Sequence, residues 1–295
     1  MAEVPFWRRH LPHADYDIRR LRPGSLPKGK RFETVDDARR LDVCRQKKVR
    51  ASQPELAQTL RDCGHKKYIC DSPSCARCAR EFRVWLIAQA LEAFKELQGS
   101  GNGILTIYLA SLPEGQLAGA SIQQAHAALR QRLNRAGLGG IVLTGGTEIA
   151  YRAKQHDWVL HVHLLGLRLK RGHRDRLKEA FRGSSTSKAL KQQKIKSSAE
   201  QISYIQKFNT LHRPGLQRGN HRARAYPLPP APFRELMAFY ANHEFADFLF
   251  LFGARRRGTR IVIETAAPKE ARPRLPAYVP TRANDTPRKH GRHRE

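Results

Sequence analysis

Two stretches, "GIVLTGGTEIAYR" (140–152) and "DWVLHVHLLGLR" (157–168), decide the fold. Both are rich in β-branched and apolar residues over strand-like lengths, and only a short polar turn separates them, so a β-hairpin is predicted. In a strand, residues i and i+2 point to one face. His161 and His163 therefore project side by side, on the surface that also carries Val159, Leu165 and Leu167. Two unpartnered imidazoles on an apolar face cost burial energy. A divalent ion would engage both, and Glu148 on the neighbouring strand offers a carboxylate as a further ligand. The bland alternative is a chance His-x-His pair satisfied by backbone or solvent.

Working outward, "ILTIYLAS" (104–111) reads as another strand, and "SIQQAHAALRQRLNRAG" (121–137) as an amphipathic helix with Ile122, Ala125, Leu129 and Leu133 inward. Helices are predicted around 172–182, over 197–211 and from near Pro232, with "RGTRIVIE" as a last strand. Strand, helix, hairpin and helices imply an α+β fold: a central antiparallel sheet with helices packed on it. Residues 1–50 read as a basic N-terminal arm, partly disordered. "SQPELAQTLRDCG" reads as a helix capped by Ser52, and "EFRVWLIAQALEAFKELQG" as one stopping at Gly99, within a helical, cysteine-rich region over 51–99. Residues 265–295, dominated by Pro, Arg and Ala, are expected to be a disordered basic tail.

Composition narrows the partners. In 295 residues, 55 Lys and Arg stand against 26 Asp and Glu, a formal charge of +29 that points to a polyanion, nucleic acid first. No apolar run reaches the roughly 18 residues of a membrane span, and "MAEVPFWRRH" lacks a secretory apolar core, so a cytoplasmic protein with no membrane partner is expected. Five cysteines, an odd number, favour metal binding or free thiols over disulfides. Cys63, Cys70, Cys75 and Cys78 fall in "CGHKKYICDSPSCARC" with His65 as a spare ligand, and Cys75-x-x-Cys78 has the spacing of a structural zinc site. The alternative is reduced core thiols, with Cys44 already such an outlier.

On a helix over 197–211, Glu200, Tyr204, Lys207 and Leu211 share one stripe, while Ile202, Ile205 and Phe208 face the core. A tyrosine can attack a phosphodiester whose charge a metal offsets, and a lysine can balance the phosphate or the phenolate. Glu200 has a second reading, since Ser197-x-x-Glu200 is a capping box.

His-hydrophobe-His followed by Tyr-x-x-Lys resembles the HUH endonucleases, in particular the rolling-circle replication initiators of plasmids. "ILTIYLAS" looks like their first motif, with Thr106 matching and Tyr108 in place of a later threonine; "GTEIAYRAKQHDWVLHVHLLGL" is similar to the second, and "YIQK" to the third. The resemblance implies a ferredoxin-like HUH nuclease domain over 100–264 with C-terminal helices. It also implies Mg²⁺ or Mn²⁺ on His161, His163 and Glu148, Tyr204 as nucleophile forming a 5′-phosphotyrosine, Lys207 as its partner, and Glu200 as an activator of water. Plasmid initiators also resemble the cysteine region, implying structural Zn²⁺ and a DNA-facing appendage bearing Arg77, Arg80 and Arg83. Origin DNA, a host helicase and a host polymerase are the implied partners. Two alternatives stand beside this: a single-tyrosine transposase or mobilisation nuclease of the same superfamily, and a non-catalytic, zinc-braced nucleic-acid-binding protein.

Overall fold

The hairpin forms as β2 (Val142–Arg152) and β3 (Asp157–Leu167), in unbroken antiparallel register from Val142↔Leu167 to Arg152↔Asp157. The computed structural model describes residues 5–8, 34–64, 69–96, 102–182, 190–194, 205–208, 210–212 and 225–264. β1 (Gly103–Pro113) pairs with the other side of β3, with an irregularity between Tyr108 and Ala110. β4 (Leu190–Lys194) borders β1, and β7 (Leu249–Phe252) borders β2. The result is a five-stranded antiparallel sheet in the order β4-β1-β3-β2-β7, with the histidine strand at its centre.

Each sheet face buries a different set of helices. Leu105, Ile107, Leu143, Val162, Leu164 and Phe250 pack with Leu129 and Leu133 of α4 (Ile122–Arg135) and Leu177 of α5 (Arg171–Ala180). Ser121 caps α4 by accepting a hydrogen bond from the Gln124 amide. Its inward set differs from the expected one at a single place: His126 is buried and Ala125 only half-buried. The opposite face, which carries His161 and His163, is covered at one end by α3 (Ala76–Glu96), whose Val84, Ile87 and Ala90 meet Ile104, Val142, Leu165 and Leu167. The other side of α3 presents Phe82, Trp85 and Leu86 to an aromatic cluster with Trp7, Phe208, Phe245 and Phe248, so this helix is buried on two sides.

Two helices precede α3. α1 (Val35–Val49) falls where a basic arm was expected; Thr34 and Asp37 form a reciprocal capping box, and the helix buries Asp42 and Arg45 together with Ala38 and Val49. α2 (Pro54–Gly64) starts one turn position later than a Ser52 cap implies, because Pro54 fits the first helical position and the Ser52 hydroxyl instead donates to the Val49 carbonyl. The short pair β5 (Leu211–His212) and β6 (Tyr226–Pro227) leads into α6 (Pro230–Ala241), the one-turn α7 (Phe245–Phe248) and β7. Gly253, at φ +66°, then turns the chain against the Ile141 carbonyl into the hairpin β8 (Ala254–Arg257) and β9 (Arg260–Ile263).

The cysteine region is no separate appendage. Cys63, Cys75 and Cys78 belong to the same apolar cluster as Trp158 and Leu160 of β3, and the described residues all lie in one compact unit, Met1–Thr265. No helix among the described residues is long and apolar enough to cross a membrane.

Candidate metal centres and the segment beside them

The register of the three inner strands brings the predicted ligands together. Glu148 pairs with His161, and Thr106 with His163, so all four side chains share one face. Glu148 Oε2 lies 3.1 Å from His163 Nε2 and 3.8 Å from His161 Nε2, and the three donor atoms fall within 4.8 Å of one another. Ligands about 2.1 Å from an octahedral ion at right angles are about 3.0 Å apart, so the set fits one divalent cation and leaves coordination positions open. The rings are mostly covered, with side chains 17% and 21% exposed. Thr106 Oγ1 is 2.9 Å from His163 Nδ1, which fixes that ring and aims its other nitrogen at Glu148.

Electrostatics keep these groups in ligating form. Burial lowers His161 to about 4, so its imidazole is neutral near pH 7 despite the opposing pull of Glu148. Burial pushes Glu148 up, but the His163 hydrogen bond and the fields of His161, His163 and Lys207 outweigh it, and the carboxyl stays below its ordinary value.

Lys207 thus stands near the triad, though not on the helix expected over 197–211. Residues 205–208 are irregular and Leu211–His212 is extended. The reason is where the side chains go. Ile205 joins the core under α3, whereas Phe208 enters the aromatic cluster with Phe82 and Phe245; one helical face cannot serve both. Gln206, buried between them, donates to the Thr147 carbonyl at 2.8 Å. Gly145 and Gly146 make room for this crossing: a Cβ on Gly146 would lie 1.4 Å from Gln206 Oε1, and one on Gly145 would lie 2.6 Å from Ile205. A pair of glycines inside a strand is the sequence signal for such close backbone approach. Glu200 and Tyr204 lie outside the described residues, as does His65.

The second centre is the four-cysteine set. Sγ–Sγ distances are 3.8 Å for Cys63–Cys75, 3.5 Å for Cys63–Cys78 and 3.7 Å for Cys70–Cys78. Thiolates at about 2.3 Å from a tetrahedral Zn²⁺ are about 3.8 Å apart, so the cluster is compatible with zinc and fills all its positions. Hydrogen bonds from Cys70, Cys75 and Cys78 lower the Cys63 thiol, whereas hydrogen bonds with Cys63 and Cys70, together with burial, raise Cys75 and Cys78. Cys44 is exposed and stands apart.

Of the three arginines expected to face DNA from this region, Arg83 is half-buried and the other two turn inward. Arg77 Nε donates to Asp42 at 2.7 Å, and Arg80 is 5% exposed, because both sit on a helix packed from two sides. Exposed basic residues gather on the β8–β9 hairpin, at Arg255, Arg256, Arg257 and Arg260.

No protein-family model, curated protein or solved structure matches this chain. Its own geometry is a His₂Glu set able to hold a cation, on an antiparallel sheet beside a lysine-bearing segment, in a strongly basic protein.

Proposed function

We propose that the protein is a metal-dependent, single-strand DNA nicking and joining enzyme of the HUH type, acting as a plasmid rolling-circle replication initiator. The observation that carries this reading is the convergence of Glu148, His161 and His163 on a partly open sheet face, with Lys207 acting on Glu148 from a neighbouring segment. Mg²⁺ or Mn²⁺ held there would supply charge neutralisation at a scissile phosphate. Mn²⁺ matches two imidazoles better than Mg²⁺ does.

In this reading Tyr204, bonded to the buried Ile205, is the nucleophile. Its oxygen forms a bond to phosphorus as the P–O3′ bond breaks, leaving the 5′ end as a phosphotyrosine and releasing a 3′ hydroxyl that takes up a proton. Because a free phenol has a pKa of about 10, the positive charge of Lys207 favours the phenolate. Joining reverses the step with another 3′ hydroxyl. Thr106 keeps His163 oriented throughout. Zinc on the cysteines would be structural.

The test is incubation of wild type and Tyr204→Phe with labelled single-stranded origin DNA and Mn²⁺, resolved on a denaturing gel. A covalent adduct that requires metal and disappears in the variant is expected. Binding without an adduct in both proteins would make this a zinc-braced binding module.

A further inference from the structure

α1 buries two charged side chains, which is costly unless each is fully engaged. Asp42, fully buried, accepts from the Ala76 amide at 2.6 Å and lies 3.4 Å from Cys75 Sγ. Arg45, 1% exposed, reaches in two directions. Its Nη1 donates to the Ser74 carbonyl at 2.7 Å and the Pro73 carbonyl at 3.4 Å, in the loop that delivers Cys75. Its Nη2 donates to the Phe208 carbonyl at 2.9 Å, one residue from Lys207. A single planar fork thus joins the cysteine loop to the segment beside the Glu148–His161–His163 set, with a separate nitrogen for each side, a geometry that the point-like ammonium of a lysine does not reproduce.

A second contact runs the same way. Ser72 of that loop donates to the Tyr240 carbonyl at 3.0 Å, and the Tyr240 ring packs edge-on to Phe208. The Tyr240 hydroxyl is itself fully buried, so this second route also runs through the interior.

We propose that Arg45 is a positioning residue that couples the two centres: metal on Cys63, Cys70, Cys75 and Cys78 fixes the Pro73–Ser74 carbonyls, and Arg45 transmits that placement to Phe208 and so to Lys207. The cysteine site then governs how Lys207 stands against Glu148. The activity consequence rests on the nuclease reading; the structural coupling does not.

The test uses the full chain, its Arg45→Lys and Arg45→Met variants, and wild type stripped of cysteine-bound metal by a chelator. Co²⁺ loaded onto the cysteines reports thiolate ligation by its charge-transfer absorption. Hydrogen exchange of the 205–212 amides reports the segment. Both variants should keep the Co²⁺–thiolate spectrum, yet exchange those amides about tenfold faster, as the stripped wild type does. With Mn²⁺ present, the variants should lose roughly 100-fold in the rate of adduct formation at saturating DNA with KM unchanged, the size expected of a misplaced group. Unchanged exchange at 205–212, whether after substitution or after stripping, overturns the coupling. Faster exchange with no adduct even in wild type upholds the coupling and removes the nuclease reading alone.

Discussion

His126 lies beneath the metal face, its Nε2 2.7 Å from Thr147 Oγ1 and its ring edge-on to Phe250. Burial lowers it to about 4, against 6.5 for an exposed histidine. On acidification the unfolded chain therefore takes up this proton first, so stability present above pH 6.5 is lost as pH falls towards 4. The gap corresponds to roughly 3 kcal/mol. His126→Gln, which keeps a polar partner for Thr147, should lose correspondingly less between those pH values in urea unfolding. Parallel curves for the two proteins would refute this; His161 titrates in the same window but contributes to both. Single residues were unevenly legible. His161, His163 and Glu148 follow from a period of two and one hairpin register. His126 was hidden because residues 125 and 126 flank the Ile122–Leu129–Leu133 stripe on its two sides, and apolarity alone favours the alanine; the Thr147 hydroxyl is what gives the histidine a buried partner.

At the scale of elements, β8–β9 is docked by hydrogen bonds from Trp85 Nε1 to the Thr259 carbonyl and from the Ile261 amide to Gln89 Oε1. Its register sets Arg257 directly opposite Arg260, a like-charge pair that works against folding. A polyanion would relieve it. Replacing both with serine should leave the melting temperature unchanged or raised, weaken single-stranded DNA binding about tenfold at low salt, and flatten the salt dependence by about 1.4 in log–log slope. A variant with wild-type affinity and slope would place the DNA elsewhere. β1, β2, β3, β9 and α4 could be read from periodicity, and α3 from its apolar repeat, whereas the border strands β4 and β7 are too short, at five and four residues, to show a period of two. α1 could not, because it buries Asp42 and Arg45 where the pattern calls for apolar residues, although Thr34-x-x-Asp37 marks its start. The segment 205–208 misled for a related reason: Ile205 and Phe208 have helical spacing but serve two different cores.

At the scale of the compact unit Met1–Thr265, the cysteine set shares one core with Phe82 of α3 and Trp158 of β3. Its metal should therefore stabilise the entire unit. Chelation is expected to lower the midpoint of a single cooperative transition by about 10 °C, the scale of a tightly bound ligand on a protein of this size. A separate early transition, with the main one unmoved, would restore the picture of an independent appendage. The sequence pointed to the metal chemistry here but not to the packing, since cysteine spacing carries no information about which core the thiols join. β4 has a consequence of a different kind. Among the described residues it forms one border of the sheet, and of its "LKQQK" sequence Lys191 and Gln193 are exposed there. A second copy approaching edge to edge would bring its own Lys191 against this one, so the open border that could seed aggregation is guarded by its own charge.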